Sequence, residues 1–444
     1  MYRYIVAFAL FTPLIGIFLV ERGEHAVSVG LDGHPNGATI AFAAYCAVVI
    51  TVAFVMARGI TFAPPRRRLG SSAAAIQPSV GTDGNAAFVQ FAKRLIVVNV
   101  FSLLLILFGF GGIRVWLGMI DKGTFRSTLG VFGSVPFLLT KFVLPALFAY
   151  ATTKYMRTTR ANRSRALWWT NLMLVFAIGA SWGYKTTSMT MLLPALLLIY
   201  WRMNLRQLVS VAFAGVAVLV LYFYWFDSRA LAAIGDVNVA QILWLRLTVL
   251  QGDVAWHVWG LYTTAEVFPK YAPTLAAALG DRLLAGFGVS QSDLSQWMGY
   301  HYDWIINQVA NLPVESTVGG HSISGTPFSE GLIAGGLLGV GIFAVIAGAL
   351  VGVLYRRLTL SIAAGTDRRT ALLATYFCFN LFSWLSGGAI TQLFHVSVWT
   401  NVGLTLLLLR FMDGGLRGFR RVAGGSVAIA APTVAHAVDR DHRT

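Results

Sequence analysis

Charge is what this sequence has least of. Only 12% of its 444 residues are Asp, Glu, Lys or Arg, and 57% are hydrophobic, whereas a soluble domain carries roughly 25% charged and 45–50% apolar residues. A water-soluble globular domain is thereby excluded, and the chain reads as an all-α polytopic membrane protein. Cysteine is nearly missing: Cys46 and Cys378 both lie inside apolar runs, so neither a disulfide framework nor a thiolate metal site is expected. HExxH, CxxC and Walker-type loops are absent. The one Asp-x-Asp, Asp439 to Asp441, falls in a basic tail, and the glycine-rich run at 331–341 lacks the Lys-Ser/Thr that would contact a nucleotide. No metal, no cofactor and no use of ATP is therefore expected.

Acidic residues are also scarce, 18 against 34 Lys and Arg, for a net charge of +16. Such an excess fits a nucleic-acid binder, but these cations are segregated by loop and not gathered into a domain. That pattern is a signature of membrane topology, and no nucleic-acid partner is expected.

What the chain has is long apolar runs. At about 17–25 residues per span, ten are expected, at 4–20, 38–57, 95–112, 130–151, 167–182, 188–201, 207–226, 328–354, 370–389 and 397–412. The fifth and sixth are short and fit a broken re-entrant unit as well as two spans. The first run is flanked by Arg3 and followed by ERGEHAV, without a small-residue cleavage site, so it is expected to stay as a membrane helix. With the N-terminus inside, the connections bearing Arg66, Arg67 and Arg68, then Lys154 to Arg165, Arg202 and Arg206, Arg356 to Arg369, and Arg417 to Arg421 all fall on the inner side. The positive-inside rule thus sets both termini in the cytoplasm.

Four regions follow: a first membrane bundle over 1–226, an outer connection over 227–327, a second bundle over 328–412 and a basic tail over 413–444 that reads as disordered. Residues 58–90, rich in Pro, Gly, Ala and Ser, read as a flexible inner linker. The outer connection, about a hundred residues long, is too long to be a plain loop. Its segments 272–287 and 292–312 place apolar residues at helical spacing, which predicts a helical cap lying on the membrane.

Candidate chemistry gathers where that connection enters the eighth span. Gly331, Gly335 and Gly339 recur every four residues, and Gly348 and Gly352 repeat the interval, a spacing that lets helix backbones approach closely. Glu330 falls in the first turn of the span, where a carboxylate serves either as a helix cap or as a catalytic group. His321, in a Gly- and Ser-rich loop, is either an ordinary surface residue or a proton acceptor near neutral pH. Cations on the outer side are few, among them Arg114, Arg126, Lys185, Arg246 and Arg282. Arginine forks suit phosphate and diphosphate oxygens; the alternative for each is a snorkelling side chain or a pair with a neighbouring acid. Lys141 falls inside the fourth span, where an ionisable group is a functional candidate or pairs within the bundle.

Taken together, the many spans with one long late outer loop, the GYKTT turn at 183–187, Arg246-Leu-Thr-Val-Leu-Gln-Gly-Asp followed by Phe268-Pro269, and the junction from His321 through Pro327 and Glu330 to Gly339 resemble the bacterial O-antigen polymerase family, the oligosaccharide repeat-unit polymerases related to O-antigen ligases. The turn has Lys185 where the ligases usually have arginine, and the junction lacks their His-Asn pair. The resemblance implies a GT-C-like, metal-independent glycosyltransferase of the bacterial inner membrane. It would polymerise undecaprenyl-diphosphate-linked oligosaccharides into O-antigen, capsule or exopolysaccharide at the periplasmic face, beside a flippase and a chain-length regulator. It implies His321 or Glu330 as the base, and Arg246, Arg282, Lys185, Arg114 and Arg126 as candidates for the diphosphate. An O-antigen ligase and a lipid-linked oligosaccharide flippase are the alternatives.

Overall fold

The computed structural model describes residues 1–23, 36–59, 82–117, 138–158, 162–182, 185–204, 249–264 and 325–414, with a few single positions between them. These residues are helical, and no strand occurs among them. Hydrocarbon imposes that choice, because a backbone without water must satisfy its own N–H and C=O groups within the segment.

In chain order the elements are α1 (Tyr2–Glu21), α2 (Ala38–Arg58) and α3 (Thr82–Leu104), which runs on into a π turn, Leu105–Gly109. The short α4 (Ile113–Trp116) follows. A second π turn, Leu139–Val143, leads into α5 (Leu144–Tyr155), then come α6 (Asn162–Ala180) and α7 (Lys185–Ile199). Next are α8 (Val249–Thr263) and α9 (Pro327–Ala363). A third π turn, Phe377–Leu381, joins α10 (Asp367–Tyr376) to α11 (Phe382–Gly387). The chain then passes through a 3-10 turn, Ile390–Leu393, into α12 (Val396–Gly414).

Five stretches are long and apolar enough to cross a membrane: Tyr2–Glu21, Ala38–Arg58, Asn85–Gly109, Pro327–Ala363 and Ile390–Asp413. The chain is a multi-pass helical membrane protein. These stretches coincide with the first, second, third, eighth and tenth expected spans. The fourth, fifth, sixth and ninth also fold as helices, but α5 to α7 are shorter or more polar and α10 is separated from α11 by a π turn. The seventh, over 207–226, is described only at positions 207, 209, 210, 213, 215 and 217, which are helical, and the tail beyond Gly414 and the segments 272–287 and 292–312 apart from Ile306 lie outside the described residues.

Two sequence expectations are corrected. The linker expected over 58–90 gives way to helix at Thr82, because Phe88 and Phe91 are buried in the core and draw the turns before the apolar run into the bundle. The eighth span is not one straight helix with a single glycine face. At Gly335 (φ −168°, ψ 27°) and Gly336 (φ 60°, ψ −145°) the helical backbone breaks, and the chain doubles back so far that a β-carbon on Gly331 would lie 2.8 Å from the Cα of Val340. Gly331 and Gly339 thus meet across the bend. The lower pair behaves as the spacing implies: Gly348 fits against the Val49 carbonyl and Val52, and Gly352 against Ala53 and Met56, seating α9 on α2 at close range.

The bundle has two chemically different ends. Arg58, Lys154, Arg356, Arg357, Arg368 and Arg410 lie in the parts of their helices on the side of Met1. There Asp413 accepts hydrogen bonds from Lys154 Nζ (2.6 Å), from Arg368 Nη2 (3.2 Å) and from the Tyr150 hydroxyl, while Arg157 pairs with Asp367 at 2.8 Å. Glu21, Arg22 and Arg114 lie at the opposite end, which is where α9 and α11 meet. Between the ends, the Asn99 amide donates to Asn171 Oδ1 (3.1 Å), and the Asn171 amide donates to the Ala92 and Leu167 carbonyls, tying α3 to α6 through polar groups that hydrocarbon would otherwise leave unpaired.

Candidate functional site

The end opposite Met1 is built by packing that brings three sequence-distant segments together. Thr326 starts α9: its side chain accepts from the Ser329 N–H (3.2 Å), and Pro327 at the first helical position needs no N–H partner. Capping is therefore done by Thr326, and the carboxylate of Glu330 reaches elsewhere. Its Oε2 accepts from the indole N–H of Trp384 on α11 at 2.9 Å, and its Oε1 accepts from the backbone N–H of Ile390 at 2.7 Å. Glu330, Phe328 and Trp384 are all buried. The turn that Glu330 holds is unusual: Gly388 and Ala389 both have positive φ, 78° and 62°, and Ala389 adopts a conformation that costs a residue with a β-carbon on the order of 1 kcal/mol or more. The grip on Ile390, the next residue, holds that conformation in place.

Phe328 joins this carboxylate to two other elements. Its ring meets Phe42 edge-on at 5.1 Å and Tyr45 at 6.0 Å on α2, and stacks at 6.4 Å on Trp259 of α8. The Tyr45 hydroxyl and the Trp259 indole N–H are buried without a hydrogen-bond partner. Helix α8, the described helix of the long outer connection, lies in the bundle because Gly252 lets its backbone touch Gly16 and Ile17 of α1.

That contact buries the next residue, Asp253. Its side chain is fully shielded and neither carboxylate oxygen has a hydrogen-bond partner. Burial pushes its carboxyl up to about 7, because a charge removed from water without compensation is disfavoured. One turn later on the same face is His257, also buried. Among the five acids with described side chains, Glu21, Asp253, Glu330, Asp367 and Asp413, only Asp253 has both oxygens unpaired. In the sequence it is one acid among many in the outer connection. The signal available was its setting, a Gly-Asp pair inside the apolar stretch VLQGDVAWHVW.

Of the cations proposed for diphosphate, Arg114 is exposed on α4, and Lys185 begins α7. Gly112, just before α4, fits against the carbonyl of Ser181 at the end of α6, four residues ahead of Lys185 in the sequence. Arg126, Arg246, Arg282 and His321 lie outside the described residues. Lys141 sits exposed on the π turn before α5. Among the described residues no group of three His, Cys, Asp or Glu side chains is placed to hold a metal ion. No known protein family, curated protein or solved structure matches this chain.

Proposed function

We propose that this chain is a membrane glycosyltransferase that polymerises undecaprenyl-diphosphate-linked oligosaccharide repeat units into surface polysaccharide. In this reading the bundle has about ten spans in a GT-C-like arrangement, the basic end faces the cytoplasm with both termini, and the Glu330 end faces the periplasm of a bacterial inner membrane. The segregation of Lys and Arg to one end supports that orientation.

The observation that carries the activity is the gathering, at one end of the bundle, of a fixed carboxylate (Glu330), a buried unpaired one (Asp253) and the elements bearing Arg114 and Lys185. Transfer needs a base to take the proton of the acceptor hydroxyl as its oxygen bonds to the donor's anomeric carbon. It also needs cations for the lipid diphosphate that leaves as the bond from that carbon to the phosphate oxygen breaks. His321, Glu330 and Asp253 are the candidate acceptors, and Asp253 has free lone pairs and a pKa near the working pH. Glu330, with both oxygens engaged, suits a positioning role best. Arg246, Arg282, Lys185, Arg114 and Arg126 are the candidate diphosphate ligands.

The test is the length of the glycan made in cells. Arg246→Ala and Glu330→Gln should insert normally and yield single repeat units; full-length chains from both variants would overturn the site. A ligase would instead leave long chains still attached to the lipid. One observation favours a flippase as the second reading, the break in α9 at Gly335 and Gly336, because transporters build substrate sites from broken helices. Translocation of labelled lipid-linked oligosaccharide in liposomes without chain growth would select it.

A further inference from the structure

At the basic end, far from Glu330, helices α1, α2 and α9 leave a cleft of about 330 Å³ between them. Val6, Leu10, Ala53 and Val351 line it, and it opens sideways past Phe11 and Phe54, which are exposed on the outer faces of α1 and α2. Arg3 lines its mouth, and two further guanidinium groups are placed next to residues at that end of it. Arg3 donates to the Tyr355 hydroxyl at 3.2 Å and lies 5.5 Å from the centre of its ring, and Arg58 sits 3.9 Å over the ring of Phe54. Tyr355 and Phe54 are both walls of the cleft. Arg356 stands against the residue after Arg58, since a β-carbon on Gly59 would lie 2.6 Å from its Nη1.

No described carboxylate pairs with any of the three. The ion pairs at this end join Lys154 and Arg368 to Asp413 and Arg157 to Asp367. Snorkelling accounts for one arginine at a helix end, whereas three like charges near one apolar opening repel one another, and an anion held there would relieve that repulsion. Guanidinium forks match phosphate oxygens, and the cleft below offers hydrocarbon a place to lie.

We propose that this cleft binds one anionic phospholipid from the leaflet on that side, with an acyl chain between α1 and α2 and its phosphate held by Arg3, Arg58 and Arg356. Basic pockets between membrane helices on the cytoplasmic side are known to take such head groups. The occupant is a membrane lipid and not a free phosphate, because the walls of the cleft are almost wholly apolar and open toward the bilayer.

Native mass spectrometry of the full chain, titrated with phosphatidylglycerol or phosphatidylcholine in detergent, tests this. One phosphatidylglycerol should be retained at least tenfold more tightly than phosphatidylcholine. Arg3→Gln combined with Arg58→Gln should weaken that retention at least tenfold, and so should Ala53→Phe, which leaves the cations in place and fills the cleft. Ile50→Trp serves the same purpose if Ala53→Phe does not fold. Equal retention of the two lipids would overturn the proposal. So would undiminished binding when the cleft is filled, displacement by glycerol phosphate as effective as by the lipid, or a dimer of the chain whose formation excludes phosphatidylglycerol.

Discussion

The indole N–H of Trp384 donates to the carboxylate of Glu330 at 2.9 Å, from a helix 54 residues further along the chain. Both side chains are completely buried, so this bond, with the second one from the Ile390 N–H, fixes how the start of α9 sits against the turn after α11. It also makes Glu330 a group whose position is set by the fold.

Removing that carboxylate should be costly because its partners stay buried. Glu330→Ala strands two donors, each worth about 1–3 kcal/mol when left unsatisfied, and is expected to lower stability by roughly 2–5 kcal/mol. Glu330→Gln keeps one acceptor oxygen and should cost about half as much. Thermal melts in detergent check the ranking; equal losses for the two variants would mean that the hydrogen bonds are not what the carboxylate contributes.

The bend in α9 makes different demands on its glycines. A β-carbon on Gly331 would collide with backbone at Val340, and one on Gly336 would sit at φ 60° and 3.0 Å from the ring of Tyr262. Gly335 has open space around it and an extended φ. Gly331→Ala and Gly336→Ala are therefore expected to destabilise by on the order of 1–3 kcal/mol each, and Gly335→Ala by little. Melting temperatures of the three variants decide it: a straight helix with one glycine face at 331, 335 and 339 would instead make Gly335→Ala costly and Gly336→Ala cheap.

The two ends of the bundle were legible in the sequence because they depend on composition alone. Arg356, Arg357 and Arg368 fall at one end, and Glu21 and Glu330 at the other, as loop charge and hydropathy imply. The bend was not legible: glycines at 331, 335 and 339 suit a helix face and a reversal of the backbone equally, since hydropathy carries no information on φ. The adjacent Gly335 and Gly336 were the hint. The burial of Asp253 was hidden for another reason, as it depends on Gly252 meeting Gly16 and Ile17 more than two hundred residues away, a contact that no local pattern encodes.

Asp253 gives the fold a pH dependence of definite sign. Its carboxyl is raised from 3.8 to about 7 in the folded chain, so between those values the folded state binds more protons than the unfolded one. The contribution of Asp253 to stability should therefore be most favourable below about pH 4, decline as the pH rises toward 7, and level off above it. Asp253→Asn, which cannot ionise, should flatten this part of the profile and raise stability at pH 8 relative to the parent chain. Melting temperatures between pH 5 and pH 8 measure the effect, and parallel profiles for the two proteins would show that Asp253 is already charged and paired. If Asp253 is also the proton acceptor, the same variant gains stability while losing chain growth, which separates a functional group from a structural one.

At the basic end, the bonds to Asp413 should not contribute equally. The side chain of Lys154 is 18% exposed and that of Arg368 is 49% exposed, against 16% for Asp413 itself. Solvent screens the outer pair far more, and exposed ion pairs are typically worth only ~0–1 kcal/mol. Arg368→Gln is accordingly expected to change stability by a few tenths of a kcal/mol. Lys154→Met, which keeps the stem over the rings of Phe91 and Tyr150 but removes the shorter bond, should cost about 1–2 kcal/mol. A double-mutant cycle with Asp413→Asn isolates each pair. A larger coupling for Arg368 than for Lys154 would mean that the three helix ends are joined chiefly through α10 and Asp413, and not through α5.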